Sequence, residues 1–357
     1  MTHEPVRLGI IGCGGISNMH GTAAALMPDI ACFRACCDIN EKTAQAWAQR
    51  FGAAGVYTDY LDMVRREDLD GVLLATWPNQ HRQQIEALLG AGVRRILCEK
   101  ALALTGREAV EIHDMAADVG AVVMEGFMYR HHPAIRTLFA MSRADDMEPI
   151  DNVRACFSAF DAEVVSASDQ TRDWRQRKEC GGGIPYDFAC YAVNACGYLI
   201  GGMPVRVYAT GSVSPVYDTI NRLYGLIEYA DGKVGIIESS KKSDMSQEVQ
   251  VSCAHGRLSL PVAWTATGKT TIGRSRSTGW VTYIDDSIDI PAANPYQLQL
   301  ENFAAVIRGN AVPVQPLRES VVNTFVIEAL VTSLYERRPV EITLPPGFAA
   351  GDERAIE

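Results

Sequence analysis

The segment at residues 6–17, VRLGIIGCGGIS, constrains this chain more than any other. An apolar strand-like run ends in Gly12-Cys13-Gly14-Gly15-Ile16-Ser17, and the helix-like stretch SNMHGTAAALM follows at once. A glycine pattern alone is a weak signal; a strand before it and a helix after it give it meaning. Gly12 permits the tight turn. Gly14 lets the backbone approach a pyrophosphate, and Gly15 and Ile16 lead into a helix whose first amides favour an anion. Ser17 stands where a third glycine is usual and is small enough to keep helix and strand close. The segment therefore points to the start of a Rossmann domain; the alternative is a purely structural glycine turn.

The next hundred residues keep the same rhythm. FRACCDI, LDGVLLATW, RRILCEK and AVVMEGFM read as strands, and EKTAQAWAQRFG, HRQQIEALLGAG and TGREAVEIHDMAADVG as the helices between them. LDGVLLATW is almost wholly apolar, as a parallel strand covered on both faces would be. This βαβα order implies a parallel sheet between two helical layers. A length of 357 residues accommodates two domains, and the rhythm breaks near residues 127–130. The expected division is 1–128 and 129–357. In the second part strand candidates follow one another: DNVRACFSAF, VRVYATGSV, RLYGLIEYA, GKVGIIESS, QEVQVSCAHGRLSL and GWVTYID. Short turns such as Ala230-Asp231-Gly232-Lys233 read as hairpins. The fold class expected is α/β plus α+β: a Rossmann domain followed by a large, mostly antiparallel open sheet. HPAIRTLFAMSRA, PYDFACYAVNACGYLIG, NPYQLQLENFAAVIRG and LRESVVNTFVIEALVTSLYERR are read as its flanking helices.

Composition narrows the function class. A formal net charge of −10 argues against nucleic-acid or anionic-membrane partners, which would repel the chain. The first residues, MTHEPVR, lack the apolar stretch of a secretory leader, and no run of about 20 apolar residues offers a membrane span. Ten cysteines occur without a CxxC pair, as free thiols in a reducing cytoplasm would. No metal site is expected from them, nor from His131 and His132.

Asp38 ends the second strand. A carboxylate there accepts hydrogen bonds from the adenosine ribose and repels a 2′-phosphate, so NAD is expected over NADP. The alternative is that Asp38 caps the following helix. Two further motifs fall at the C-terminal ends of parallel strands, where ligands of open α/β sheets bind. These are Thr76-Trp77-Pro78-Asn79-Gln80-His81 and Glu99-Lys100-Ala101. With GGGIPYDFACYAVN at residues 181–194, they resemble the Gfo/Idh/MocA oxidoreductase family, and the resemblance covers nearly the whole chain. The family's Glu-Lys-Pro stands here as Glu99-Lys100-Ala101. Its Asp followed four residues later by His or Tyr stands as Asp187 and Tyr191. Tyrosine there resembles the sugar- and dihydrodiol-oxidising members more than the inositol dehydrogenases.

The resemblance implies an NAD-dependent dehydrogenase acting on a sugar, sugar derivative or polyol, with the anomeric carbon of an aldose favoured. Gly12, Gly14, Gly15, Ile16, Ser17, Asp38, Thr76, Trp77, Pro78, Asn79, His81, Glu99 and Lys100 are then the cofactor-side candidates. Asp187 and Tyr191, four apart on a helical stretch, share one face. Removing a hydride from a carbinol requires a base for its proton. A free tyrosine titrates near 10, and a neighbouring ammonium favours its phenolate. Tyr191 is the expected acid/base, Lys100 its electrostatic partner, and Asp187 a substrate anchor; Lys100 as the base is the alternative. Tyr191 as core and Asp187 as a helix cap are the structural alternatives, and His81 also fits a structural role. Arg130 and Trp174 are further substrate-side candidates, set against a surface ion pair for the first and core packing for the second. Two other functions stay open: a dinucleotide-binding sensor on the same scaffold, and an oxidoreductase cycling a tightly bound cofactor. The one-sided open sheet predicts a homodimer or homotetramer.

Overall fold

The computed structural model describes residues 4–161, 174–278 and 280–348. They form two compact units. The first comprises residues up to 103 together with 107–131 and 294–320; the second comprises 104–106, 132–293 and the residues from 321 on.

The first unit holds a six-stranded parallel sheet ordered β3-β2-β1-β4-β5-β6. Its strands are β1 (Val6–Ile11), β2 (Ala31–Cys37), β3 (Gly55–Tyr57), β4 (Gly71–Leu74), β5 (Arg95–Cys98) and β6 (Val122–Glu125). The connecting helices are α1 (Ser17–Ala25), α2 (Glu41–Phe51), α3 (Tyr60–Arg66), α4 (Pro78–Gly90) and α5 (Gly106–Asp118). β4 is buried at every position, as its apolar sequence requires. The strand order reverses between β1 and β4, and a doubly wound sheet opens its ligand crevice at such a point. α2 is capped by Asn40, whose side chain accepts the amides of Lys42 and Thr43, and it stops at left-handed Gly52. The cap is therefore Asn40 and not Asp38.

The second unit holds a nine-stranded sheet ordered β14-β13-β12-β11-β7-β10-β9-β8-β15. The strands are β7 (Ile150–Ser158), β8 (Pro204–Val213), β9 (Ile220–Tyr229), β10 (Val234–Ser240), β11 (Val249–Cys253), β12 (Gly256–Leu260), β13 (Thr270–Thr278), β14 (Val281–Ile290) and β15 (Val340–Glu341). Neighbours are antiparallel except β7 and β10, which run parallel. Helices α6 (Pro133–Ser142), α7 (Cys190–Ile200) and the greater part of α9 (Leu317–Glu336) belong here. Gly235 in β10 meets Cys196 of α7, and Gly225 in β9 meets Leu330 of α9, so both helices lie on one face of the sheet. On the other face Tyr208, Tyr224 and Leu226 are exposed.

Several elements differ from the sequence-based expectation, which lacks β3, α3 and β15. The run QEVQVSCAHGRLSL is not one strand but the hairpin β11–β12, turning at Ala254-His255. β13, with Ile272 its only large apolar residue, carries too little hydrophobic pattern to be foreseen. Helix α8 (Pro295–Ile307), expected beside the second sheet, belongs to the first unit. Its Phe303 and Ile307 close over Gly71 in β4, and Tyr296 meets the ring of His20 edge-on. The first unit is thus completed by chain that lies beyond a simple cut at 128/129. Among the described residues no helix is long and apolar enough to cross a membrane.

Candidate active site

The glycine loop leaves β1 and enters α1. Gly12 has φ +90°, and a Cβ there would lie 2.6 Å from the carbonyl oxygen of Ala75. Conformation and space both demand glycine. Gly14 and Gly15 are exposed, with nothing within 4 Å of a Cβ built on either, so the loop is an open cradle. Ile16 is half-buried, and the Ser17 hydroxyl donates to Gly14 O at 2.5 Å, closing the turn. Asp38 stands beside this cradle. Its Oδ2 accepts the Cys13 amide at 2.9 Å and its Oδ1 the Asn40 amide at 2.9 Å. A cavity of about 400 Å³ adjoins it, lined by Asn18, Asn40, Lys42, Thr43 and Arg50 among others. Open glycines, an unblocked helix start and a fixed carboxylate at the second strand's end fit a dinucleotide.

The Glu99-Lys100-Ala101 turn follows β5, and three buried side chains grip it. His20 of α1 lies with Nε2 2.7 Å from Glu99 Oε1. His81 of α4 has Nδ1 3.0 Å from Ala101 O and 3.2 Å from Leu102 O, with Nε2 3.2 Å from Thr76 O. Its burial pushes the imidazole pKa down. Glu125 at the end of β6 accepts the Leu102 amide at 2.8 Å and the Gln315 side-chain amide at 3.1 Å. Burial pushes this carboxyl up to about 7, against the hydrogen bonds it receives. The Lys100–Ala101 peptide is cis. Lys100 itself is half-buried, and its amide donates to Glu99 Oε2 at 3.2 Å. Around the neighbouring turn, Thr76 donates to Gln84 at 2.6 Å, Trp77 precedes the helix, Pro78 is its first residue, and Asn79 is exposed. Arg130 is 2% exposed and its guanidinium donates to Glu319 at 3.0 Å. The arginine is buried but Glu319 is 44% exposed, so the ion pair runs from the interior of the first unit to its surface.

In the second unit, Asp187 lies in a π-helical turn (Pro185–Ala189) that leads into α7, with Tyr191 at the second position of that helix. Pro185 presets the first turn. Such wider turns cluster at functional sites. Asp187 is 2% exposed and Tyr191 6%. Asp187 Oδ2 takes two cations: Arg175 Nε at 3.0 Å and Lys241 Nζ at 3.1 Å. Arg175 lies over the ring of Trp174, its guanidinium carbon 5.0 Å from the centroid, so Trp174 reaches the site through this arginine. Tyr191 packs edge-on against Phe157 at 5.3 Å and tilted against Trp264 at 5.8 Å. Phe157 stacks on Phe188 at 4.2 Å. Tyr186 donates its hydroxyl to Leu104 O at 2.7 Å, a contact within the second unit.

Sequence reasoning missed Lys241, Arg175, His20 and Glu125. A lysine after the strand GKVGIIESS reads as a solvated turn residue. Its burial follows from the parallel pairing of β10 with β7, which no local pattern reveals.

Residues 6–127 match the model of the GFO/IDH/MocA oxidoreductase family, NAD-binding Rossmann fold, and residues 140–259 match the model of its C-terminal domain. The chain is 28% identical to D-xylose 1-dehydrogenase (NADP(+)) 2 of Haloferax volcanii, over 85% of this chain and 90% of that protein. It is 26% identical to trans-1,2-dihydrobenzene-1,2-diol dehydrogenase of Mus musculus, over 73% and 76%. In fold it is similar to KijD10, a 3-ketoreductase from Actinomadura kijaniata solved with NADP and TDP-benzene. The TM-score is 0.82 at 22% identity, over 93% of this chain and 98% of that one.

Proposed function

Since the chain belongs to the GFO/IDH/MocA family of NAD(P)-dependent oxidoreductases, we propose that it oxidises a sugar, sugar derivative or polyol, the anomeric carbon of an aldose being the favoured site. The observation that carries this reading is the buried pair Asp187 and Tyr191, on adjacent turns, with Asp187 fixed between Arg175 and Lys241. The nicotinamide, when bound, accepts the hydride at its carbon 4. Tyr191 takes the hydroxyl proton as the carbinol C–H leaves as hydride. Lys100 is the ammonium that the family resemblance pairs with this chemistry. Asp187 anchors a substrate hydroxyl as an acceptor. The glycine loop would hold a pyrophosphate at the start of α1, and Glu99, clasped by His20, fixes the Lys100 turn. Two named relatives act on a pentose and on a dihydrodiol, which supports a cyclic carbinol substrate.

NAD is the cofactor we favour, because a carboxylate at the end of the second strand of such a domain repels a 2′-phosphate, and Asp38 stands at that end. NADP is the second reading: Lys42 and Arg50 line the cavity beside Asp38, and the Haloferax relative is named for NADP. The exposed Tyr208, Tyr224 and Leu226 border a cavity of about 240 Å³ on the open sheet face, and we assign that face to a homodimer or homotetramer contact. Ten free cysteines fit a cytoplasmic setting.

The test is a panel of aldoses, polyols and dihydrodiols with NAD and with NADP, read at the absorbance of the reduced nicotinamide. Turnover of an aldose with NAD is expected. Dinucleotide binding without turnover of any member would make the chain a sensor on this scaffold. Nicotinamide absorbance in the purified protein before cofactor is added would mark a tightly bound cofactor.

A further inference from the structure

We infer that Lys241 is a positioning residue for this reaction: its ammonium fixes the carboxylate of Asp187 and the ring of Phe188 beside Tyr191. The inference rests on the reading of Asp187 and Tyr191 as the substrate-side pair.

Lys241 is the first residue past β10. Its amide donates to Asn221 O at 2.9 Å, and its carbonyl accepts the Asp161 amide at 3.0 Å. The ends of three adjacent strands thus fix its backbone. The side chain is 4% exposed, and lysine is almost never buried to that extent without a partner. Its partners are Asp187 at 3.1 Å, Asp161 at 3.7 Å and the face of Phe188 at 5.5 Å. Among the described residues, charges alternate along Arg175, Asp187, Lys241 and Asp161.

The two cations on Asp187 differ in exposure. Arg175 stands on a short 3-10 turn with 41% of its side chain exposed, whereas Lys241 is enclosed at the sheet. Asp187 takes its fixed reference from Lys241. The same ammonium lies on Phe188, which stacks on Phe157, which packs edge-on against Tyr191. One buried charge therefore bears on both substrate-side residues. A carboxylate released from it would still have Arg175, which reaches it from the more exposed side.

The experiment compares Lys241→Met, Lys241→Arg, Asp187→Asn and the double variant Asp187→Asn/Lys241→Met with the wild type in steady-state kinetics. A crystal structure of Lys241→Gln accompanies it. Displacing a positioning contact by about 1 Å costs about 100-fold. Lys241→Met is expected to lose about that factor in kcat with the dinucleotide KM unchanged, and Lys241→Arg to restore most of it. In the Asp187→Asn background Lys241→Met is expected to cost less than about threefold, since the two residues act as one unit. Wild-type kcat in Lys241→Met, or an equal loss in both backgrounds, overturns the inference. Should Lys241→Met fail to fold, Lys241→Gln is read the same way. A wild type without turnover rejects the sugar-dehydrogenase reading instead. The crystal structure then decides on Lys241: a displaced Asp187 carboxylate is expected, and one still in place overturns the inference.

Discussion

Asp38 accepts the main-chain amide of Cys13 at 2.9 Å, which holds its carboxylate against the glycine loop. Its second oxygen takes the Asn40 amide, so the charge is fixed in place. Asp38→Asn keeps the shape and removes the charge. A hydrogen bond to a charged group contributes more than one to a neutral group, so kcat/KM with NAD is expected to fall about 10- to 100-fold. The fall with NADP is expected to be smaller, which narrows the preference for NAD. Initial rates with both dinucleotides check this. An unchanged ratio would remove Asp38 from cofactor selection.

Tyr191→Phe keeps the ring that packs on Phe157 and Trp264 and deletes the hydroxyl. General acid–base groups contribute about 10²- to 10⁴-fold, so kcat is expected to fall by that order. Dinucleotide binding, measured by fluorescence titration, is expected to be unaltered. Turnover equal to the wild type would show that Tyr191 is a core residue only.

Glu125 makes stability depend on pH with a definite sign. Burial raises its folded-state pKa to about 7, above the 4.5 of a free carboxyl. Between these values the folded protein holds a proton that the unfolded chain has released. The stability from this group is whole below about pH 4.5 and declines as pH rises through about 7. At about 1.4 kcal/mol per pKa unit the loss is about 3 kcal/mol. Denaturant titrations at pH 5 and pH 8 read it, and Glu125→Gln is expected to flatten the difference. An equal difference in that variant assigns the pH dependence to other groups.

Phe303 tests the membership of α8. It is fully buried over Gly71 of β4. Phe303→Ala leaves a cavity in the first unit and is expected to cost about 3–5 kcal/mol. Hydrogen exchange should rise in β1 and β4. Unaltered protection of those strands would detach α8 from the first sheet.

What the sequence discloses and what it hides divides along contact range. Gly12, Ser17 and Asp38 are legible because a strand, a turn and a helix are local, and their chemistry follows from that turn. Asp187 and Tyr191 stand out only through the resemblance to the family's Asp followed four residues later by His or Tyr. Lys241 is hidden because its burial depends on β10 lying beside β7, some 80 positions earlier in the chain. His20 is hidden likewise, since its partner Glu99 stands 79 positions away. The apolar stripe of α8 tells that one face is covered, and not by which sheet. β13 is mostly polar and leaves no pattern to read. His81 is legible as part of a turn motif, but its part in gripping Ala101 and Leu102 shows only in the fold.

The proposed reaction is hydride transfer from a sugar carbinol, at the anomeric carbon of an aldose. An aldose deuterated at carbon 1 tests it directly, incubated with the protein and NAD and followed by NMR or mass spectrometry of the dinucleotide. Deuterium is expected at carbon 4 of the reduced nicotinamide, with the sugar recovered as its lactone. Reduced dinucleotide free of deuterium, or none formed with any aldose, would contradict it.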